Sequence, residues 1–242
     1  MNSRKGQRIA MLSEALSQHR SLHIRQAAAI LGVSEMTVRR DVSACPEQFS
    51  FLGGHILPFI AADAESPYEI SKAADSHASA KREVCAQALK YIRPDQTIFF
   101  DCGTTLPYLI DLLPDDILMT AVCYSLNVAE RLARKPNVRL VMLGGLYHPA
   151  SASFSGSSGL ETLDALVIDV AFLSAAGVDG RRGATCAHFH EADIKRKAMS
   201  QAQTSVLLID KSKIGKLKPA FFSDMQSFDA VLTEDGLTDL SA

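Results

Sequence analysis

The chain has 242 residues, 47% of them hydrophobic, and a formal net charge of −2. That length allows one or two domains with a substantial core, and the near-neutral total excludes a global electrostatic case for nucleic acid. The charge is unevenly placed, however. Residues 1–56 carry seven Lys or Arg against four acids, so a small basic module precedes a larger acidic one, an asymmetry that points to a nucleic-acid contact. No run of ~20 apolar residues occurs, so no membrane span is expected and the chain is expected to be cytoplasmic. Five cysteines (Cys45, Cys85, Cys102, Cys123, Cys186) lie far apart with no Cys-x-x-Cys, and read as small buried hydrophobes in a reducing compartment.

Residues 4–18 place Ile9, Leu12 and Leu16 at helical spacing, with Arg4, Lys5 and Arg8 on the other faces. Ala27 to Leu31 form a compact second helix that Gly32 ends, where a left-handed residue is cheapest. Val33 plugs the corner and Ser34 caps a third helix, in which Val38 and Val42 share the inner face. Glu35, Met36, Thr37, Arg39 and Arg40 face outward. This pattern is a helix-turn-helix, or else a helical hairpin that only packs. In the first reading Ser34 to Thr37 reach base edges, Thr37, Arg39 and Arg40 contact phosphates, and Arg25 joins the DNA-contacting set. Asp41 orients an arginine. Two short β-runs about Gly53-Gly54 predict a hairpin wing, giving a DNA-binding domain over 1–58. Residues 59–75, with Pro67 and no period, read as a linker.

From 76 to 242 strands alternate with helices. Helices are expected near 77–91, 105–113 and 191–202. Strands are expected at 97–101, 117–122, 138–143, 168–173, 205–209 and, last, 228–232, with a Gly/Ser-rich loop over 150–159. Such alternation predicts a mostly parallel α/β sheet covered on both faces, with ligands beyond the strands' carboxyl ends. Asp101, Cys123-Ser125, Gly144-Gly145, Ser174-Gly177 and Asp210-Lys213 all fall at such ends.

The most informative stretch is Phe99-Phe-Asp-Cys-Gly-Thr-Thr105. A buried strand ends in an acid, a glycine and two hydroxyl residues before a helix. Backbone N–H groups and the Thr104 and Thr105 hydroxyls can surround an anion there, and Gly103 allows close approach. An ordinary strand-to-helix turn with a Thr cap has the same look.

Ser34-Glu-Met-Thr-Val-Arg-Arg-Asp41, Gly53-Gly54, Asp101-x-Gly-Thr-Thr, Gly144-Gly145, the Glu191…Lys195…Met199 spacing and Asp210-x-Ser-Lys213 occur in an order that resembles the DeoR family of bacterial repressors. The resemblance covers nearly the whole chain. It departs at Tyr124-Ser-Leu-Asn127, where most members carry Thr-Asn. It implies a winged-helix DNA reader joined to a sensor similar in fold to ribose-5-phosphate isomerase, and an effector such as deoxyribose 5-phosphate. It also implies targets in deoxynucleoside catabolism and a homo-oligomer on double-stranded operator DNA. Carried over, Gly103, Thr104 and Thr105 hold the phosphate, Lys213 neutralises it, and Glu191 accepts from sugar hydroxyls. Asp101 does the same or braces the turn, and Ser125, Gly144, Gly145 and Gly177 complete the effector set.

An active sugar-phosphate isomerase is the rival reading. Isomerases of that fold carry an acid-rich Asp-Gly-Ala-Asp-Glu segment where this chain reads Ser174-Ala-Ala-Gly-Val-Asp179, stripped of most carboxylates, so sensing is favoured over catalysis. No cofactor is expected. Cys186-Ala-His-Phe-His190 puts three potential zinc ligands on one extended face, yet no fourth is indicated, and a polar loop over the pocket is favoured.

Overall fold

The computed structural model describes residues 4–18, 22–45, 48–52, 55–58 and 77–238. The chain divides into two compact units, Met1–Ser66 and Pro67–Ala242. The expected linker and the Gly53-Gly54 tip of the wing lie outside the described residues.

In the first unit α1 (Arg4–Gln18) leads through β1 (Leu22–His23) to α2 (Ile24–Leu31) and α3 (Glu35–Ser43), followed by β2 (Phe49–Leu52) and β3 (His55–Pro58). Leu12 and Leu16 from α1 meet Ala27, Leu31, Val38 and Val42 in one core, and Ala27 is small enough to let the helices close up. Gly32 turns the chain at φ +62°, with its N–H bonded to the carbonyls of Ala28 and Ala29. Ser34 Oγ then accepts the Thr37 N–H at 3.3 Å, as a cap should. The two wing strands pair antiparallel, Leu52 opposite His55. β1, which the sequence did not suggest, adds a third strand against β3.

The second unit is built on a seven-stranded sheet. Its elements are α4 (Ala78–Ala88), β4 (Thr97–Phe100), α5 (Leu106–Asp111), β5 (Met119–Cys123), α6 (Leu126–Leu132) and β6 (Val138–Met142). A hairpin follows, β7 (Leu146–His148) and β8 (Ser153–Ser155), then α7 (Ser157–Asp164), β9 (Ile168–Ser174), β10 (Gly177–Asp179), β11 (Gly183–Cys186) and α8 (Phe189–Gln201). The chain continues through β12 (Ala202–Leu208), β13 (Ala220–Ser223), β14 (Ala230–Thr233) and β15 (Gly236–Leu237). The strand order is β15-β14-β12-β9-β4-β5-β6, parallel except for the short edge strand β15. Ile98, Phe100, Ala121, Phe172 and Leu208 pack one face of the sheet onto α4, α5 and α6. Phe99, Val122, Ala171 and Leu207, which point the other way, are equally buried. From β4 the chain winds outward to β5 and β6, then crosses back to β9, β12 and β14. The sheet therefore has its switch point between β4 and β9, where a crevice opens at the carboxyl ends.

Several expectations need correction. The segment 150–159 is not simply a loop, since it holds β8 and the start of α7. A small antiparallel sheet, β10-β11-β13, is a further difference, because strands of three or four residues are too short to show alternation. The helix expected over 105–113 ends at Asp111, its last turn tightening to Leu112 N–Leu109 O and Leu113 N–Ile110 O bonds ahead of Pro114. The final long strand is Ala230–Thr233, and Phe228 instead packs edge-on against Phe222 at 6.1 Å.

Gly177 opens β10 tight against another segment. A Cβ there would lie 2.5 Å from the Lys216 carbonyl oxygen and 2.8 Å from its carbon. Backbone cannot yield as a flexible side chain does, so Gly177→Ala is expected to destabilise the second unit by about 1–3 kcal/mol. A chemical denaturation curve unchanged in midpoint would rule this out.

Candidate functional site

α3 presents Ser34, Glu35, Met36, Arg39 and Arg40 to solvent, with Thr37 half-buried beneath them. Met36 is 68% exposed on this face. Beneath this face Asp41 is buried and held by Arg8 of α1 through two bonds, 2.6 Å and 3.1 Å, so Asp41 braces the helix from below. The Arg39 guanidinium lies over the Phe51 ring at 4.5 Å, which couples the helix to the wing. Arg25 sits 3.6 Å from Glu35 with both side chains solvated, an ion pair weak enough to exchange for phosphate. Arg39→Ala is expected to weaken DNA binding and to reduce the slope of log K against log salt by about 0.9 for a single lost phosphate contact. Binding isotherms over a salt series measure that slope, and an unchanged slope would place Arg39 away from the DNA backbone.

In the second unit a pocket opens at the switch point. Its atom-free volume is about 520 Å³, counting the open mouth. Gly103, Thr104 and Thr105 from the turn after β4 form one wall, and Ser174, Ala175 and Ala176 from the end of β9 form the next. Cys186, Glu191 and Lys195 close the inner end, and Lys213 stands at the rim.

The turn is built to be held open. Gly103 adopts φ +103°, a conformation that L side chains rarely adopt. Asn127 Nδ2 donates to the Gly103 carbonyl at 2.7 Å, fixing the loop from α6. Thr105 makes no side-chain cap bond to α5, so its hydroxyl is not spent as the ordinary capping reading requires. α5 has only six residues, and the polar wall therefore depends on backbone N–H groups, hydroxyls and Lys213 more than on a helix dipole.

Asp101 is fully buried and does not line the pocket; it braces the turn. Its Oδ1 accepts from the Cys102 N–H (2.8 Å) and the Tyr124 hydroxyl (2.7 Å), and its Oδ2 from the Ser174 N–H (2.7 Å), the Ser174 hydroxyl (2.9 Å) and Lys195 Nζ. β4, β9 and α8 are thus tied at one carboxylate. Tyr124, the departure from the family pattern, supplies one of these bonds and stacks on Phe99 at 6.0 Å. Burial alone lowers the Lys195 pKa, but Asp101, with the neighbouring thiols and Glu191, raises it above the ordinary lysine value, so the ammonium stays charged. Glu191 is one helical turn away on the same face. Burial pushes its carboxyl up to about 7, against the pull of Lys195.

Of the residues expected to bind an effector, Gly103, Thr104, Thr105, Glu191 and Lys213 come together. Ser125, Gly144, Gly145 and Gly177 lie outside the lining, because the ends of β5 and β6 and the start of β10 are displaced from the switch point. Ser125 is wholly buried with Oγ lacking a hydrogen-bond partner, and Gly144 and Gly145 are exposed at the foot of the β7–β8 hairpin. Sequence reasoning missed Lys195, Ser174 and the cysteine pair Cys102 and Cys186 as lining residues. Lys195 had a signal in its i,i+4 spacing from Glu191, and Ser174 had one in its place at a strand's carboxyl end.

In the Cys186…His190 segment the histidine rings are engaged in stacking. His190 stacks on His148 with ring centroids 3.7 Å apart and an 11° angle, and its Nε2 lies 3.2 Å from Ser153 Oγ. Burial, with His148 and then His188, pushes the His190 imidazole down to about 3. Among the described residues no three His, Cys, Asp or Glu side chains converge on a point that could hold a metal ion.

Fold and site together define a two-unit regulator, a winged helix-turn-helix reader and an α/β sensor with a polar pocket. Residues 8–54 match the DeoR-like helix-turn-helix domain and residues 76–235 the DeoR C terminal sensor domain. The chain belongs to the DeoR family and is a DNA-binding transcriptional repressor with a sugar sensor domain, not an enzyme. It is 41% identical over 234 residues to the deoxyribose operon repressor of Escherichia coli (strain K12), covering 97% of this chain and 92% of that protein. It is 26% identical over 231 residues to the HTH-type transcriptional repressor GlcR of Bacillus subtilis (strain 168), covering 94% and 88%. Among solved structures it resembles ribose 5-phosphate isomerase A from Methanocaldococcus jannaschii, with a TM-score of 0.42 and 18% identity over 55% of this chain and 53% of that one. No described helix is long and apolar enough to cross a membrane.

Proposed function

We propose that the chain is a cytoplasmic repressor released from its operator by a phosphorylated pentose, deoxyribose 5-phosphate, and that it governs deoxynucleoside catabolism. The observation that carries this reading is one pocket with chemically distinct ends. Gly103, Thr104, Thr105 and Lys213 offer donors and a cation for phosphate at the rim, and Glu191 faces them from the inner end. No carboxylate among the described residues pairs with Lys213. Ala175, Ala176 and Ala187 add apolar wall, which suits a sugar lacking one hydroxyl. The relative's name, with its deoxyribose operon, agrees with that choice.

In this reading residues 1–58 bind DNA, 59–75 tether, and 76–242 sense. The contacts to double-stranded operator DNA come from Ser34, Glu35, Met36, Thr37, Arg39, Arg40 and Arg25. A homo-oligomer spans paired half-sites, since one recognition helix covers only a few base pairs. Sugar phosphate favours an arrangement whose reading heads no longer match the spacing, and only differential affinity for the two arrangements can drive release. A coupling of about 1–3 kcal/mol suffices for a modest switch.

The test is a thermal-shift screen of pentose and hexose phosphates with the full chain, followed by operator release. A ligand that binds only the folded state raises the midpoint by mass action. Deoxyribose 5-phosphate should give the largest shift and release operator DNA. A larger shift with a hexose phosphate, or a shift without release, would overturn the reading.

A further inference from the structure

The inner end of the pocket has an unusual charge inventory. Two carboxyl side chains, Asp101 and Glu191, share one ammonium, Lys195, and all three are at least nine-tenths buried. Lys195 Nζ is engaged by Asp101 Oδ2 and, at 3.1 Å, by the Ser174 carbonyl. Its charge is therefore committed to acceptors that belong to the protein. Asp101 is saturated by its own donors. Glu191 is the carboxyl left facing the pocket, with the thiols of Cys186 and Cys102 against it. Thiols are weak donors and carry no positive charge to offset it. Among the described residues lining the pocket, the cation left to meet a ligand anion is Lys213, half-buried toward the rim.

Resting on the reading of this pocket as the effector site, we propose that Glu191, with Lys195 already committed to Asp101, is a specificity filter that rejects a second negative charge, so that the sensor takes a monophosphate with a neutral polyol or carbonyl end and excludes phosphorylated sugar acids and bisphosphates. A carboxylate or second phosphate at the inner end would meet an ionised carboxyl in a water-poor site, with no uncommitted cation beside it. A hydroxyl there donates to the same carboxyl and is favoured.

The filter has a pH signature. Glu191 is faced by Asp101 from the end of β4, by Cys102 beside it, by Tyr124 after β5, by Cys186 from β11, and by Lys195 on its own helix. Of these, Glu191 is the group whose raised pKa lies near neutrality. Protonating it removes the repelling charge and supplies a donor, so rejection should relax as the pH falls through that range. Comparing two ligands that carry the same phosphate cancels the phosphate's own ionisation.

Calorimetric titration of the full chain tests this with four probes: deoxyribose 5-phosphate, ribose 5-phosphate, ribonate 5-phosphate and ribose 1,5-bisphosphate. At about pH 8 the acid and the bisphosphate should bind at least about tenfold more weakly than ribose 5-phosphate. At about pH 6 the ratio between ribonate 5-phosphate and ribose 5-phosphate should narrow several-fold. In Glu191→Gln it should fall to within about threefold and lose its pH dependence, since the amide keeps the shape without the charge. The wild-type pH series stands without the variant, should the variant fail to fold. Equal or tighter binding of the acid at high pH, or a ratio flat with pH, would overturn the filter and leave the effector site intact. No binding by any phosphorylated sugar would overturn the effector site, and the filter with it.

Discussion

Lys195→Met is expected to lower the thermal midpoint of the second unit by about 10 °C. The substitution leaves Asp101 wholly buried with its countercharge removed, and breaking a buried pair by deleting one partner costs about 3–5 kcal/mol. For a domain of this size each kcal/mol moves the midpoint by about 2–4 °C. The four other donors to Asp101 moderate the loss but cannot replace a charge. Methionine keeps most of the lysine's apolar stem, so the cavity contribution is small and the effect reports the lost ammonium. Scanning calorimetry of the full chain measures it. A midpoint within about 2 °C of wild type would mean that hydrogen bonds alone stabilise Asp101, and that the ion pair does not tie β4, β9 and α8 together.

Thr104→Ala combined with Lys213→Ala is expected to abolish the response to sugar phosphate and leave operator affinity within about twofold. Both side chains line the pocket rim, and neither has a partner whose loss would unfold the sensor. Removing a cation and a hydroxyl from a phosphate site costs about 2–5 kcal/mol, enough to weaken effector binding by more than about thirtyfold. Operator affinity lies with the winged helix, which neither substitution touches. Operator release as a function of deoxyribose 5-phosphate concentration, measured beside bare operator affinity, separates the two functions. A normal release curve would move the phosphate elsewhere in the sensor. Lost operator binding would show that the pocket's integrity is needed for the DNA-competent arrangement itself.

Much of the architecture was legible in the chain. Gly32 and Ser34 mark a turn and a cap whose chemistry is local, and both work as their residue types predict. The apolar run at Thr97–Phe100 is buried on both faces, so it reads as a central parallel strand without knowledge of its neighbours. Short antiparallel pieces were not legible. The strands Ser153–Ser155 and Gly183–Cys186 contain too few residues for a period to emerge, and one partner of the latter, Ala220–Ser223, lies far along the chain. The same limit applies to four of the expected effector residues, which lie outside the pocket lining. Ser125, Gly144, Gly145 and Gly177 sit near strand ends, as the pattern required, but strand order decides which ends open onto a crevice, and strand order is a long-range property.

The Asp101-Cys-Gly-Thr-Thr105 turn shows the division most clearly. The sequence by itself determined that a glycine and two hydroxyls follow a buried strand, because burial and turn chemistry are set by neighbours along the chain. It determined likewise that arginines share a capped helix with Thr37. Only the tertiary structure decided that Asp101 braces the turn, since its donors come from Tyr124, Ser174 and Lys195, residues 23, 73 and 94 positions away. Only the fold brought Glu191, buried, and Lys213, half-buried, from different segments into one pocket. A charge acts through space, and the partner that sets its role is chosen by packing.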